Sequence, residues 1–515
     1  IVSINGMIVY DTAAHPVTPA NGVFEHHFEA ALQPGENVLI AGLFRIGRMA
    51  QVGCRLEVVD GGVTAHVPLG EGITPEARAG VEDELRGLSL ERDIFYPGDT
   101  IRLRRGAVTD GATSMRVRLI GASGYLLWEI TPAAGDTIEL GRGSDLPDGP
   151  YQLTCAWLDR DERLLTSVDY DIRKVTPAPE IRGYERLEER KRLVLEHYAS
   201  NQEPGVQPPI WPEVARYALG RYEEVDEDAI RGTCEFIAAR KDCADFVIQG
   251  LLRLMYWERE NPRLSPAIAA LMKDTVLGFK YWVDEPGDTV MYMGSENHRL
   301  LFHVAEWMAG QLYPTEEFTN SRQRGLYHAT KGRIYITEWL RQRGRFGFDE
   351  WHSNAYYPIC IAPLLNVYDF AIYEDAKLRD MAGSVLDYTF FNLAADSFQG
   401  IFGTTHGRSY GRYIKHPDMD GTGATCWLLY GTGSLSAGTS GMGPVSIASG
   451  KYLVPRLLAE MATDDSAVVE SRVRQGILPG TARHANFCVY RTPDYMLSGL
   501  QDHRKGEYEP STHVG

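Results

Sequence analysis

The chain has 515 residues, 44% of them hydrophobic and 23% charged, an ordinary balance for a folded protein but too long for a single core. Its 52 basic and 69 acidic residues leave a net charge of −17. That speaks against general nucleic-acid binding and, more mildly, against polyanionic substrates unless cations are concentrated locally. No apolar run approaches the ~20 residues that span a bilayer, so no membrane partner is expected.

The seven cysteines are scattered without a CxxC pair, which points to buried thiols rather than a zinc ribbon or a disulfide framework. The first residue is Ile1 rather than Met, with no signal peptide visible, which fits a processed or trimmed N-terminus and gives no reading of the compartment. Secreted and cytoplasmic locations both stay open, as does the oligomeric state.

Residues 1–175 read as strands and turns. A small β unit is expected over 1–80, including the alternating runs at 55–59 (RLEVV) and 64–67 (TAHV). Over 81–175 the runs at 100–103 and 114–119, with turns at Pro97-Gly98-Asp99 and Pro147-Asp148-Gly149, predict an immunoglobulin-type β-sandwich. Nothing here clusters His, Cys and acid, so this half is expected to be a scaffold or a sugar-binding accessory module.

Thr176-Pro177-Ala178-Pro179-Glu180 is the linker, and the periodicity changes after it. Helical spacing predicts nine helices, at 185–200, 212–223, 227–239, 242–258, 265–283, 298–312, 325–343, 355–372 and 375–393. Consecutive helices with short links and no fixed-period repeat predict a closed α/α toroid over 185–462. After 395 a Gly/Ser-rich loop is expected, then one helix near 450–462 and strand-like sequence at 484–503. Residues 463–515 would thus open a C-terminal β domain, with the natural chain expected to continue beyond Gly515.

Three segments of the helical region are dense in reactive side chains. Gly294-Ser295-Glu296-Asn297-His298 opens a helix with Ser295 as N-cap, where free backbone N–H groups favour an anion. Phe348-Asp349-Glu350-Trp351-His352-Ser353-Asn354-Ala355-Tyr356-Tyr357 offers a stacking ring, donors and proton carriers suited to a sugar. Thr404–His416 holds His406, Arg408, Tyr410, Arg412 and Lys415 among glycines, a local basic patch that the overall charge conceals.

Together they supply what β-elimination from a uronic acid needs. Asn297 and His298 would bind the sugar carboxylate, Tyr356 or Tyr357 with His352 would move the protons, and Arg408 would hold the charge. Glu296, Glu350, Trp351, His406, Tyr410 and Arg412 surround them as candidate substrate-binding residues.

The Asn-His pair with a Tyr one hairpin later resembles the heparinase II/III-like and alginate-lyase toroids. The order Asn, His, Tyr, Arg is similar to that of the chondroitin/hyaluronate lyase toroids, which are likewise followed by a large β-sandwich. The resemblance implies a polysaccharide lyase acting on a uronic-acid-containing glycan. It assigns carboxylate binding to Asn297 and His298, the catalytic Tyr to Tyr356 or Tyr357, the general base to His352 and the cation to Arg408.

Glu296 stands where those families carry Asn, and it opens an alternative. An inverting glycoside hydrolase on the same toroid would use Glu296 as acid and Asp349 or Glu350 as base. A non-catalytic glycan-binding protein is the second alternative. Glu296, His298, His352, His406 and Asp418 are eligible metal ligands, but no HExxH or paired-His spacing marks a site, so no metal or other cofactor is expected.

Overall fold

A computed structural model describes residues 2–11, 32–35, 37–41, 73–105, 114–121, 125–132, 135–176, 178–200, 207–371, 375–415, 420–433, 435, 441–476 and 484–501. The runs expected as strands at 55–59 and 64–67 lie outside these residues, as does Asp418. No described helix is long and apolar enough to cross a membrane. Packing divides the chain into two compact units, the second of which contains all of 171–515.

At the N-terminus, β1 (Val2–Ile4) pairs antiparallel with β2 (Met7–Tyr10) and β3 (Leu39–Ala41). The region read as strands throughout also contains a helix, α1 (Pro75–Gly87). Its sequence explains the departure: Pro75 opens the first turn beside the acidic Glu76, helix formers follow, and Arg86 closes the last turn. Further strands form two sheets. β4 (Ser89–Leu90), β6 (Thr100–Arg104) and β9 (Thr137–Arg142) make one, in the order β4-β6-β9. β5 (Ile94–Phe95), β7 (Ser114–Gly121), β8 (Leu126–Ile130), β10 (Gly149–Leu158) and β11 (Leu164–Lys174) make the other, in the order β5-β11-β10-β7-β8. β5 runs parallel to β11. Tyr151 at the start of β10 donates its hydroxyl to the Pro147 carbonyl at 2.6 Å.

From 187 the chain is helical: α2 (Leu187–Ser200), α3 (Ile210–Ala218), α4 (Glu227–Ala238), α5 (Ala244–Glu260), α6 (Pro266–Gly278), α7 (Glu296–Leu312), α8 (Gly325–Phe346), α9 (Tyr357–Phe370) and α10 (Ala376–Ala395). Each of the nine expected helices is present, with shifted ends. Local chemistry starts several of them. Asp226 caps α4 by accepting from the amides of Asp228 and Ala229, and Ser265 caps α6 ahead of Pro266.

The stretch after 395 departs from expectation. It holds α11 (Gly411–Lys415), α12 (Gly421–Tyr430), α13 (Met442–Ser449) and α14 (Arg456–Thr463). Every residue of α12 from Thr422 to Tyr430 is buried. Its glycines serve close packing rather than a loop: a Cβ on Gly421 would meet the Pro358 ring at 2.8 Å, and one on Gly443 the Pro358 carbonyl at the same distance.

Helices α3, α5, α7, α9 and α13 each pack on the next, and α13 packs back on α3, closing a ring. Around it α4 and α6 lie on α5, α8 lies on α7, α10 lies on α9, and α12 lies on α2 and α13. Helices α7 and α8 approach closely: a Cβ on Gly310 would stand 2.4 Å from the Ala329 amide, and one on Gly332 2.7 Å from the His303 carbonyl. The chain then forms an antiparallel sheet of β12 (Val469–Gln475), β13 (Ala485–Arg491) and β14 (Met496–Gln501), as the strand-like C-terminal sequence led us to expect.

Candidate active site

The first turn of α7, the segment 348–356 and the loop 404–410 supply one hydrogen-bonded network. At its centre is Glu350, buried at 1% exposure. Asn297 donates Nδ2 to both Glu350 carboxylate oxygens, at 2.9 and 2.7 Å, and its backbone N–H reaches the second at 3.3 Å. The Arg408 guanidinium pairs with the same carboxylate. Arg408 also lies over the Tyr356 ring, 3.8 Å from its centroid, and the Tyr356 hydroxyl meets that of Tyr410.

Ser353 locks the arrangement, donating Oγ to the Arg408 carbonyl at 2.6 Å while accepting the Tyr356 amide at 3.0 Å. Burial opposes the charge on Arg408, but the Glu350 carboxylate outweighs it and raises the guanidinium pKa. Burial raises the Tyr356 phenol far above its ordinary range despite the cation on its face, so it rests protonated.

Ser295 occupies the N-cap position of α7 without capping an amide; its Oγ instead accepts Asn297 Nδ2 at 2.9 Å. His298 donates or accepts at Nδ1 against Asp245 Oδ2, 2.6 Å away. Burial lowers the imidazole pKa, but the Asp245 carboxylate and its hydrogen bond prevail, and the net shift is upward, aided by the field of Glu350. The Tyr292 ring stands edge-on to His298 at 5.7 Å.

Glu296 is spoken for. It pairs with the buried Arg343 and accepts the backbone amides of Asp349 at 3.0 Å and Glu350 at 2.8 Å. It thereby pins the start of the 349–356 segment to the start of α7. Asp349 is the more open carboxyl, 14% exposed, with Arg343 Nη1 3.4 Å away.

Three expected site residues fall in the packed interior instead, and a fourth, His406, is half-buried beside them. Tyr357 is 1% exposed; its hydroxyl accepts the His352 amide at 3.2 Å and donates to Gln475 at 3.0 Å. His352 is fully buried against Phe487 and Phe402 with φ at 46°, and burial pulls its pKa down to about 3, too low for a general base near neutrality. Trp351 packs against Ala485 and Phe487, and Gly407 presses on its ring so closely that a Cβ there would come within 2.3 Å. His406 turns Nδ1 to the His352 carbonyl at 2.5 Å, and burial lowers its pKa. Arg412 lies in α11, and its side chain is outside the described residues.

The sequence signalled neither Asp245 nor Arg343, which stand 53 and 47 residues from the groups they hold. It also missed a supporting chain in which Ser409 donates to Asn354 Oδ1 at 2.8 Å and Asn354 donates to Asp420 at 3.2 Å. Asp420 caps α12, and burial pushes its carboxyl up to about 7.

No family model and no curated protein matches the chain. Among solved structures it is similar to a family 76 glycoside hydrolase from a bovine Bacteroides thetaiotaomicron strain. That match has 10% identity over 74% of this chain and 99% of the other, with a TM-score of 0.28. A beta-1,2-glucanase from Parabacteroides distasonis matches at 9% identity over 73% and 71% of the two chains, with a TM-score of 0.27. Part of the alpha-2-macroglobulin from Escherichia coli matches at 11% identity over 81% and 70%, with a TM-score of 0.21. Likeness at this level leaves the argument to the site's own geometry.

Proposed function

We propose that the chain is a glycan-active enzyme of α/α-toroid type, and that it cleaves a uronic-acid-containing polysaccharide by β-elimination. The observation that carries this is which groups are engaged. Hydrolysis with inversion needs two carboxyls ~6.5–9.5 Å apart, one of them a proton donor. Here Glu296 is committed to Arg343 and two amides, and Glu350 to Arg408 and Asn297. The half-buried acid–base group of the network is a phenol, Tyr356, joined to a second phenol and seated on a guanidinium.

In this reading the Asp245-oriented His298 binds the uronate carboxylate, and Arg408, held in place by Glu350, supplies positive charge behind it, so that the proton on the adjacent carbon becomes acidic. That C–H bond breaks, a carbon–carbon double bond forms, and the neighbouring C–O bond to the leaving sugar breaks. Tyr356, which rests protonated, gives its proton to the leaving oxygen, and the phenolate so formed, hydrogen-bonded to Tyr410, takes the one from carbon, so the phenol ends as it began. Asn297, with Nδ2 on Glu350, orients that carboxylate rather than meeting the substrate. Tyr357, His352, Trp351 and His406 support the loop from behind.

Inverting hydrolysis is the second reading. It is favoured by the central place of Glu350 and the partial exposure of Asp349 next to it. For residues 89–174, the order β5-β11-β10-β7-β8 with β4-β6-β9, together with the Tyr151–Pro147 hydrogen bond, supports an immunoglobulin-type sandwich as an accessory module.

The deciding experiment incubates the purified chain with a panel of acidic and neutral glycans. Products absorbing in the ultraviolet from a conjugated unsaturated uronide are expected. New reducing ends without that absorbance would replace elimination by hydrolysis.

A further inference from the structure

A second polar cluster lies between α7, α8 and the segment 279–295 and takes no part in the chemistry above. Glu306 is on α7, about two turns beyond His298; His328 is in the first turn of α8; Glu285 is in the segment 279–295 that leads into α7. All three are buried, at 0%, 0% and 7% exposure. His328 Nδ1 lies 2.9 Å from Glu306 Oε1 and 3.9 Å from Glu285 Oε1. One oxygen of each glutamate and one imidazole nitrogen fall within 4.8 Å of one another.

The neighbours account for most of the polar atoms. Lys331 Nζ reaches Glu306 Oε1 at 3.2 Å and Asp284 at 2.8 Å, and His303 Nδ1 lies 3.3 Å from Glu306 Oε2. Asn320 donates to Glu285 Oε2 at 2.8 Å, and Ser321 Oγ meets His328 Nε2 at 2.7 Å. Lys280 spends its ammonium on the Glu285 and Gly287 carbonyls. One atom is left over: Glu285 Oε1 is buried and has no hydrogen bond. An orphaned carboxylate oxygen in the interior costs about 1–3 kcal/mol or more, and a cation bound there would remove that cost.

We propose that Glu285, Glu306 and His328 form a binding site for one divalent transition-metal ion, which staples the 279–295 segment to α7 and α8. Two carboxylate oxygens and one imidazole nitrogen are a borderline donor set of the kind that zinc and manganese accept. Ligands about 2.1 Å from one ion stand about 3 Å apart when adjacent and about 4.2 Å when opposite, so the observed spans need only small side-chain shifts. Without the ion, Nδ1–H donates to Glu306; on binding, His328 would release that proton and carry its N–H on Nε2 toward Ser321, the outer hydrogen bond that orients a metal-bound histidine. Lys331 remains with Asp284, and the ion neutralises the two glutamates that share the pocket. Because the stapled segment carries Tyr292 and ends at Ser295, the ion positions the entry to the candidate active site without touching substrate. None of the sequence-eligible ligands takes part.

The test reads metal and stability, not activity, so it stands or falls separately from the functional reading. The purified full chain is analysed for bound metals, then stripped with a chelator and titrated with Zn²⁺ and with Mn²⁺ while binding and melting temperature are followed. One saturable equivalent that raises the melting temperature is expected. Glu285→Gln should weaken that binding ~100-fold or more while leaving the stripped protein at least as stable as the stripped wild type, since the orphaned charge is gone. If Glu285→Gln does not fold, Glu285→Asp, which keeps the charge but withdraws the oxygen, should show the same loss. Stoichiometric binding that survives these substitutions, or a wild type without a metal-dependent melting shift, overturns the assignment.

Discussion

Tyr356 and Tyr357 are neighbours in sequence, yet the structure gives them opposite work, and this can be measured. Tyr356→Phe removes a half-buried hydroxyl whose partner is the Tyr410 hydroxyl, beside the Arg408 guanidinium. Proton transfer by a positioned side chain contributes ~10²–10⁴-fold in rate, about 2.7–5.4 kcal/mol of barrier. Turnover should fall by that factor, with stability changed by about 1 kcal/mol or less, because Tyr410 can turn toward solvent. Tyr357→Phe removes a hydroxyl that joins the His352 amide to Gln475 inside the core. That leaves buried polar groups unpaired, for a loss of about 1–3 kcal/mol in stability and little change in turnover per folded molecule. The assays are the product absorbance under saturating substrate and denaturant unfolding of the same samples. A Tyr357→Phe protein that folds normally but is inactive, beside a Tyr356→Phe protein at the wild-type rate, would refute the assignment.

Glu296→Gln should destabilise the chain by about 3–5 kcal/mol, offset in part by Asp349, because it leaves the Arg343 charge buried with a weaker partner; urea unfolding against wild type measures this. Gly407→Ala should lower both stability and activity, since its Cβ would enter the Trp351 ring and push the Arg408 loop outward; charge-conserving changes at Arg412 give the comparison. Asp396, which burial raises to about 6, favours the proton in the folded state, so its contribution to stability is lost as pH rises from about 4 to 6. Asp396→Asn should therefore gain about 3 kcal/mol on wild type across that window. His352 slopes the opposite way, and its Nε2 lies 3.5 Å from Asp396 Oδ2, so the comparison reads the coupled pair rather than Asp396 alone.

Much of this architecture is written in local sequence. Helical periodicity with Asp226, Ser265 and Pro266 at helix starts locates the nine helices from 187 to 395, because capping and amphipathic spacing are properties of neighbouring residues. The three reactive segments are likewise legible, since each concentrates unusual side chains within a dozen residues. The helices α12 and α13 were not, because their glycines read as loop until Pro358 is seen pressed against them. Only the tertiary structure decides which reactive side chains meet. Glu296 was a free acid in the sequence and is an anchor for Arg343 in the fold; Trp351 was a stacking face and is a core ring under Phe487. His298 on α7 acquires Asp245 from α5, and Glu285 joins Glu306 on α7 and His328 on α8. Pairings over tens of residues carry no local signature, and burial, which sets the charge and reach of each group, exists only once the chain has closed on itself.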